Sequence, residues 1–227
     1  MSIWVCPHCP KKSAEREIEK IEGLARLYAY PCEPRFENKG LVILDSGAFG
    51  LSQSGGIMNL DYMKKLSAYY ERYYRENVLC VAPDSFLNPL QSLMNFKTWH
   101  KNKLFKNITP VLQCEKKYVI EEKRLLQQAD FYKDYSENIF FSNPSLNFEM
   151  SKSQNIEKIL KKIKQMGYKW IHNLGAGWNI EDIKGWSTVS ALDSFDSIAY
   201  YTTKNINEFG TLNALNNVKK VIECLKT

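Results

Sequence analysis

Short apolar runs alternate with longer amphipathic segments along most of the chain. The runs are rich in β-branched residues and read as buried strands, whereas the longer segments have the periodicity of helices. The predicted strands cover 41–45, 78–82, 108–112, 139–142 and 170–172. The predicted helices cover 13–27, 61–75, 88–100, 117–129, 153–166 and 218–225, with a short helix after Asn179. Because strand, loop and helix recur without a hairpin turn, the pattern predicts parallel βαβ units.

This order of elements favours a single-domain α/β protein with a (β/α)8 barrel of the TIM type, and a doubly wound sheet is the alternative. The pattern defines roughly six strands, so a barrel needs one or two more near the termini. Residues 27–30 either continue the first helix or begin a strand. We expect one domain over 1–227, with 1–38 as an N-terminal extension or first helix and 39–205 as its core.

Composition narrows the class of protein. The chain has 227 residues, 44% hydrophobic and 25% charged, as is typical of a globular protein. No apolar run approaches the length of a membrane span and the N-terminus lacks a secretory pattern, so we expect a cytoplasmic protein without a membrane partner. The formal charge of +6 is compatible with a polyanionic partner such as nucleic acid.

The six cysteines are scattered and do not suggest a disulfide framework in a chain of this length. Cys6 and Cys9 form a C-x-x-C motif around a Pro-His pair. Three interpretations stay open: a thioredoxin-like redox motif, a zinc-binding turn with Cys32 and His8 as further ligands, and a surface turn with reduced thiols. We prefer the surface turn, and therefore expect no zinc at this cluster.

One stretch stands out chemically. Four apolar residues end at Asp45, and Ser46, Gly47 and Phe49 follow directly. A carboxylate at the carboxyl end of a buried strand is where α/β barrels place catalytic groups, and an aromatic ring beside it can stack on a planar ligand. Taken alone, Asp45 is equally compatible with an ordinary polar turn.

Four later stretches favour a catalytic role for Asp45 over an ordinary turn. They are Val81-Ala82-Pro83-Asp84-Ser85, Pro110-Val111-Leu112-Gln113, Leu174-Gly175-Ala176-Gly177 with the short helix after it, and Leu192-Asp193-Ser194-Phe195-Asp196-Ser197. Together with Asp45-Ser46-Gly47-Ala48-Phe49 they resemble, in order and approximate spacing, the motifs of the tRNA-guanine transglycosylases (queuine tRNA-ribosyltransferases). The resemblance extends over roughly residues 40–203 and also implies a barrel.

The resemblance implies a glycosyltransferase that exchanges a base through a covalent ester between a carboxylate and the sugar. Its catalytic residues would be Asp196 as nucleophile and Asp45 as general acid and base. The base would contact Phe49 by stacking, Asp84 and Gln113 by their polar groups, and Ser46 and Gly175 as pocket lining. Asp193 would be a structural neighbour. No cofactor is required, because this exchange moves no electrons.

The chain also departs from that family. The C-terminal zinc cluster is absent, since only Cys224 remains after Asp196. The basic run that reads tRNA is replaced by 198–204, Gly50 stands in place of a glutamine, and Ser197 in place of a cysteine. These departures make the chain more similar to short relatives that insert 7-deazaguanine bases into DNA.

We therefore expect nucleic acid, DNA more than tRNA, and a free 7-deazaguanine or guanine base as partners. Three alternatives stay open: a tRNA-guanine transglycosylase subunit that needs a partner, a deazaguanine nucleoside hydrolase or glycosylase, and a non-catalytic module that binds nucleobases or nucleic acid. A homo-oligomer is compatible with the sequence. The lysines of the 101–106 loop and of the 153–166 helix are candidates for phosphate contacts, and an ordinary solvated face is the alternative for the helix.

Overall fold

A ring of parallel strands forms the centre of the molecule. The structure, a computed structural model, describes residues 2–9, 12–34, 40–116, 119–142, 148–176, 180–196, 215–223 and 225–226. The strands are β1 (Ile3–Pro7), β2 (Arg26–Ala29), β3 (Val42–Asp45), β4 (Val78–Val81), β5 (Ile108–Thr109), β6 (Val111–Gln113), β7 (Asn138–Ser142), β8 (Trp170–Leu174) and β9 (Ser194–Asp196).

Helices cover the outside of the ring. They are α1 (Lys12–Ile18), α2 (Ala48–Gln53), α3 (Leu60–Tyr73), α4 (Pro89–Lys101), α5 (Glu122–Tyr132), α6 (Phe148–Ser153), α7 (Ile156–Gln165) and α8 (Ile180–Ser187), followed by a C-terminal helix over 215–223. Among the helices of these ranges, none is long and apolar enough to cross a bilayer.

The strand order is β5-β4-β3-β2-β1-β9-β8-β7-β6, and each neighbouring pair is parallel. The two ends of this sheet, β5 and β6, are separated along the chain only by Pro110, whose carbonyl oxygen accepts a hydrogen bond of 2.9 Å from Phe140 N. Proline has no N–H to donate, so it interrupts the strand there. The nine strands thus occupy eight positions around a nearly closed barrel. This confirms the predicted (β/α)8 fold.

Side chains alternate between the inside of the barrel and the helix layer, as strand geometry requires. The inner cluster is small and apolar, and it contains Val5, Ala25, Leu27, Ile43, Val81, Val111 and Phe140. The larger apolar cluster lies between the strands and the surrounding helices. This alternation turns Asp45, Gln113 and Asp196, each at the end of its strand, toward the barrel axis.

The N-terminal segment corrects two sequence predictions. Within the stretch predicted as an N-terminal extension or first helix, β1 and β2 are barrel strands that pair with β9, with each other and with β3. The first helix ends at Ile18 instead of continuing to residue 27, and residues 26–29 form β2. Together with β9, these strands complete the eight positions of the barrel.

Candidate active site

Three carboxylates meet at the rim formed by the carboxyl ends of the strands, which we call the mouth. Asp45 is the last residue of β3, Asp84 follows β4 by three positions, and Asp196 is the last residue of β9. Burial raises the pKa of Asp45 from 3.8 to about 7, and the negative charges of Asp84 and Asp196 add to this effect. The mouth therefore holds one carboxyl that exchanges its proton near neutral pH beside two further acids.

Asp84 is held by donors from two neighbouring strands. The Ser46 hydroxyl donates to Oδ1 over 2.7 Å, and Gln113 Nε2 donates to Oδ2 over 2.6 Å. Burial raises the pKa of Asp84 to about 6, while these two hydrogen bonds lower it. Gln113 is fully buried, and its Oε1 has no hydrogen-bond partner among the residues that the structure describes. This amide oxygen is an acceptor that a bound ligand can satisfy.

Gly47 allows the chain to turn sharply beside Asp45. Its φ of +75° is left-handed, and a Cβ at this position would come within 2.6 Å of Tyr30 O. The Gly47 N–H donates to Asp45 Oδ2 over 3.3 Å, and α2 begins directly after it. Ser46 thus shapes the mouth by holding Asp84, and Gly47 shapes it by its backbone conformation.

Asp196 has a different hydrogen-bond environment on each oxygen. Gly175 N donates to Oδ1 over 3.0 Å, and His172 Nε2 lies 3.0 Å from the same oxygen. Within the part of the chain that the structure describes, Oδ2 has no such contact. Gly175, with φ of +70°, is the residue after β8 and directs its N–H toward Asp196.

Sequence reasoning missed His172. The side chain is fully buried inside β8, and its Nδ1 lies 2.8 Å from Ser194 Oγ. Side chains alternate along a strand, so residues 170, 172 and 174 share one face of β8. That face points into the barrel, and a polar side chain in its middle was the available sign of a functional residue.

Phe49 lies on the first turn of α2 and is 51% exposed. Its ring meets that of Phe86 edge to face, with centroids 5.2 Å apart and an interplanar angle of 83°. Phe86 follows Asp84 by two residues, and sequence reasoning did not single it out. An exposed ring supported by a second aromatic ring beside buried carboxylates is a surface on which a planar ligand can stack.

Asp193 lies at the opposite rim. Its Oδ2 accepts hydrogen bonds from Ile171 N and from Lys164 Nζ, both at 2.6 Å. These contacts join the starts of β8 and β9 to α7 and leave Asp193 away from the other carboxylates. The remaining sequence candidates Gly177, Asn179, Ser197, 198–204 and Cys224 lie outside the described residues.

The cysteine motif is not on the surface, contrary to the preferred interpretation. Cys6 and Cys9 are free thiols and are buried, and Arg26 Nη1 donates to Cys6 Sγ over 3.0 Å. Arg26 also pairs with Glu15 between the barrel wall and α1. Burial alone would lower the pKa of Arg26, but Cys6 and Glu15 raise it. Across the described ranges, no three His, Cys, Asp or Glu side chains are grouped as metal ligands.

The lysines fall into two groups by position. The 101–106 loop precedes β5 and so lies at the rim opposite the mouth. On α7, Lys161 pairs with Glu157, Lys162 with Glu122 and Lys164 with Asp193, at 2.6–2.8 Å. These ion pairs reduce the charge that α7 offers to phosphate.

A groove of about 770 Å³ lies along α6 and α7, on the β7 side of the barrel. Lys152 and Lys158 line it, and neither forms an ion pair within the described ranges. The groove also includes Thr188 and Val189, which follow α8.

No protein-family model matches the chain, and no curated protein matches it at a significant level. The geometry of the mouth and the motif resemblance are therefore the basis for a functional proposal.

Proposed function

We propose that the protein is a base-exchange transglycosylase. It would replace guanine in nucleic acid, DNA in preference to tRNA, with a 7-deazaguanine base through a covalent bond between Asp196 and the sugar. The observation that carries this proposal is the convergence of Asp45, Asp84 and Asp196 with Gln113 at one mouth, where one carboxyl has a pKa of about 7.

In the first half of the reaction, Asp196 Oδ2 attacks the anomeric carbon of the sugar. A bond forms between that oxygen and C1′, and the bond between C1′ and the base nitrogen breaks. The electron pair stays on the departing guanine, which takes a proton from Asp45. A carboxyl with a pKa of about 7 is suited to this donation near neutral pH.

In the second half, Asp45 accepts the ring-nitrogen proton of the incoming 7-deazaguanine. That nitrogen attacks C1′, the ester bond breaks, and Asp196 regains its carboxylate. Proton and electron counts balance without a cofactor, because one base leaves and another enters.

Base recognition would use the groups around Asp84. Its carboxylate can accept hydrogen bonds from the amidine edge of guanine, and Gln113 offers its unpaired Oε1 as a further acceptor. Phe49, supported by Phe86, would stack on the ring, a contact worth about 1–3 kcal/mol. A target guanine in duplex DNA would have to flip out of the stack to reach these groups.

Phosphate binding would use the lysines of the groove along α6 and α7 and not the 101–106 loop, which lies at the rim opposite the mouth. Lys152 and Lys158 line this groove without a salt bridge within the described residues, although the pKa of Glu122 is lowered by Lys162 and, to a lesser extent, by the charge of Lys158. Contacts of this kind bind any sequence and weaken as salt rises.

The proposal is tested by giving the purified protein labelled guanine with duplex DNA, single-stranded DNA or total tRNA. We expect label in DNA, and none with Asp196→Asn, whose amide cannot form the ester. In wild type a covalent protein–DNA adduct should be trapped, and in Asp196→Asn it should be absent. Thermal unfolding checks that the variant is folded.

Other outcomes decide among the alternatives. Label in tRNA alone would contradict the DNA substrate, and activity only with a second protein would indicate a partner subunit. Release of base without any exchange would indicate a hydrolase. An adduct that survives in Asp196→Asn would assign the attack to another residue.

A further inference from the structure

We infer that His172 is a positioning residue for Asp196: it holds one carboxylate oxygen in place so that the other faces the substrate. Ser194 and Trp170 in turn hold the imidazole. The catalytic consequence rests on the proposed function, whereas the arrangement of donors and acceptors can be tested without it.

The three side chains and Asp196 form a continuous chain of polar contacts inside the barrel. Trp170 Nε1 donates to Ser194 Oγ over 2.8 Å, Ser194 Oγ lies 2.8 Å from His172 Nδ1, and His172 Nε2 lies 3.0 Å from Asp196 Oδ1. His172 and Ser194 are fully buried. All four residues face inward from β8 and β9, so their positions follow from the pairing of these two strands.

The Asp196 carboxylate sets the tautomer of the neutral imidazole, because only a protonated Nε2 can donate to Oδ1. Nδ1 is then an acceptor. The indole N–H of Trp170 can only donate, so Ser194 Oγ accepts from it and the serine hydroxyl proton is free to point at His172 Nδ1. The opposite neutral tautomer would place a nitrogen lone pair against the carboxylate oxygen, which is repulsive.

The ring is also fixed by packing. Phe140 meets it edge to face, with centroids 5.1 Å apart at 85°. A buried ring with an aromatic neighbour and a partner on each nitrogen cannot rotate freely, so the donor to Asp196 is preorganised.

The two oxygens of Asp196 therefore have separate roles. Oδ1 accepts from His172 and from Gly175 N, which among the described residues leaves Oδ2 to attack C1′. In the ester, Oδ1 becomes the carbonyl oxygen and keeps both donors. Donors on this oxygen favour departure of the carboxylate when the incoming base attacks, so they assist the second half of the reaction, whereas in the first half they act by orienting Oδ2.

Kinetics test the catalytic consequence. His172→Phe removes the donor and should lower kcat for base exchange by about 100-fold, in line with the loss of one preorganised donor, while KM for the free base changes little. His172→Gln can place an amide N–H near the position of Nε2 and should recover part of the rate. A His172→Phe protein with wild-type kcat, or equal losses in the Phe and Gln variants, would overturn the inference.

Nitrogen NMR tests the arrangement itself, independently of any activity. In wild type, the two ring nitrogens of His172 should show Nε2 protonated and Nδ1 as an acceptor, and Ser194→Ala should broaden or shift the Nδ1 signal. A proton on Nδ1 would refute the inference even if base exchange occurs. If exchange is absent but the NMR pattern is as expected, the proposed function fails and the positioning of Asp196 stands.

Discussion

Asp45→Asn should make the protein more stable at alkaline pH while removing its proton-transfer group. The substitution preserves shape and removes a charge. The folded structure raises the pKa of Asp45 from 3.8 to about 7, chiefly by burial and then through Asp84 and Asp196. At about 1.4 kcal/mol per pKa unit, ionising this carboxyl in the folded state costs on the order of 4 kcal/mol.

The sign of the effect follows from the direction of the shift. Because the folded pKa lies above the unfolded one, the favourable contribution of protonated Asp45 is complete below pH 3.8 and is lost as pH rises through about 7. Asparagine does not titrate, so the free energy of unfolding of the variant should rise relative to wild type as the pH increases from 3.8 to about 7. Since Asp45 is half-buried, we expect a gain of roughly 2–4 kcal/mol at pH 8.5 and a difference under about 1 kcal/mol near pH 4.5.

Urea unfolding of both proteins between pH 4.5 and 8.5 measures this difference. Asp134→Asn is the matched control, because Asp134 is exposed and lies in the loop before β7, away from the mouth. The same change at this site should not give the large gain in stability expected for Asp45→Asn. If Asp45→Asn lowers stability by the same amount at all pH values, then Asp45 is not a carboxyl with a raised pKa, and its role as the acid of the mouth is refuted.

Two further predictions concern ligands. Phe49→Ala and Asp84→Ala should each weaken binding of free guanine by about tenfold or more, because the wild-type side chains contact the base, while DNA affinity changes little. Calorimetry measures both affinities. Equal losses for the two ligands would count against this assignment. Lys152→Glu combined with Lys158→Glu should weaken DNA binding and make it less dependent on salt, whereas neutralising the lysines of 101–106, at the rim opposite the mouth, should change neither. DNA titrations at several salt concentrations compare the two sets of variants. A larger loss of affinity from the loop variant would contradict the proposed path of the phosphates.

Local patterns in the chain were sufficient for much of the barrel. Continuous apolar runs predicted β3, β4, β7 and β8, because a strand covered on both faces needs apolar residues at successive positions. The runs at 41–45 and 108–112 placed Asp45 and Gln113 at strand ends. In a parallel barrel all such ends lie at one rim, so the sequence alone predicted that these groups share a mouth.

Other features depend on residues far apart in the chain. β2 contains Arg26, whose charge is unfavourable in a buried strand. It is accommodated on the outer face of the barrel, where Glu15 of α1 neutralises it and Cys6 of β1 accepts a hydrogen bond from it. The pattern of β2 alone therefore did not distinguish a strand from the end of a helix.

The electrostatics of the mouth likewise came only from the tertiary structure. A pKa of about 7 for Asp45 arises from burial and from two carboxylates on other strands. The contact of His172 with Asp196 depends on the register between β8 and β9, which aligns His172 with Ser194. The residue types and their order along the chain determined which groups the mouth contains, whereas strand pairing decided which atoms touch, because hydrogen bonds and charge interactions act only over the few ångströms that the fold sets.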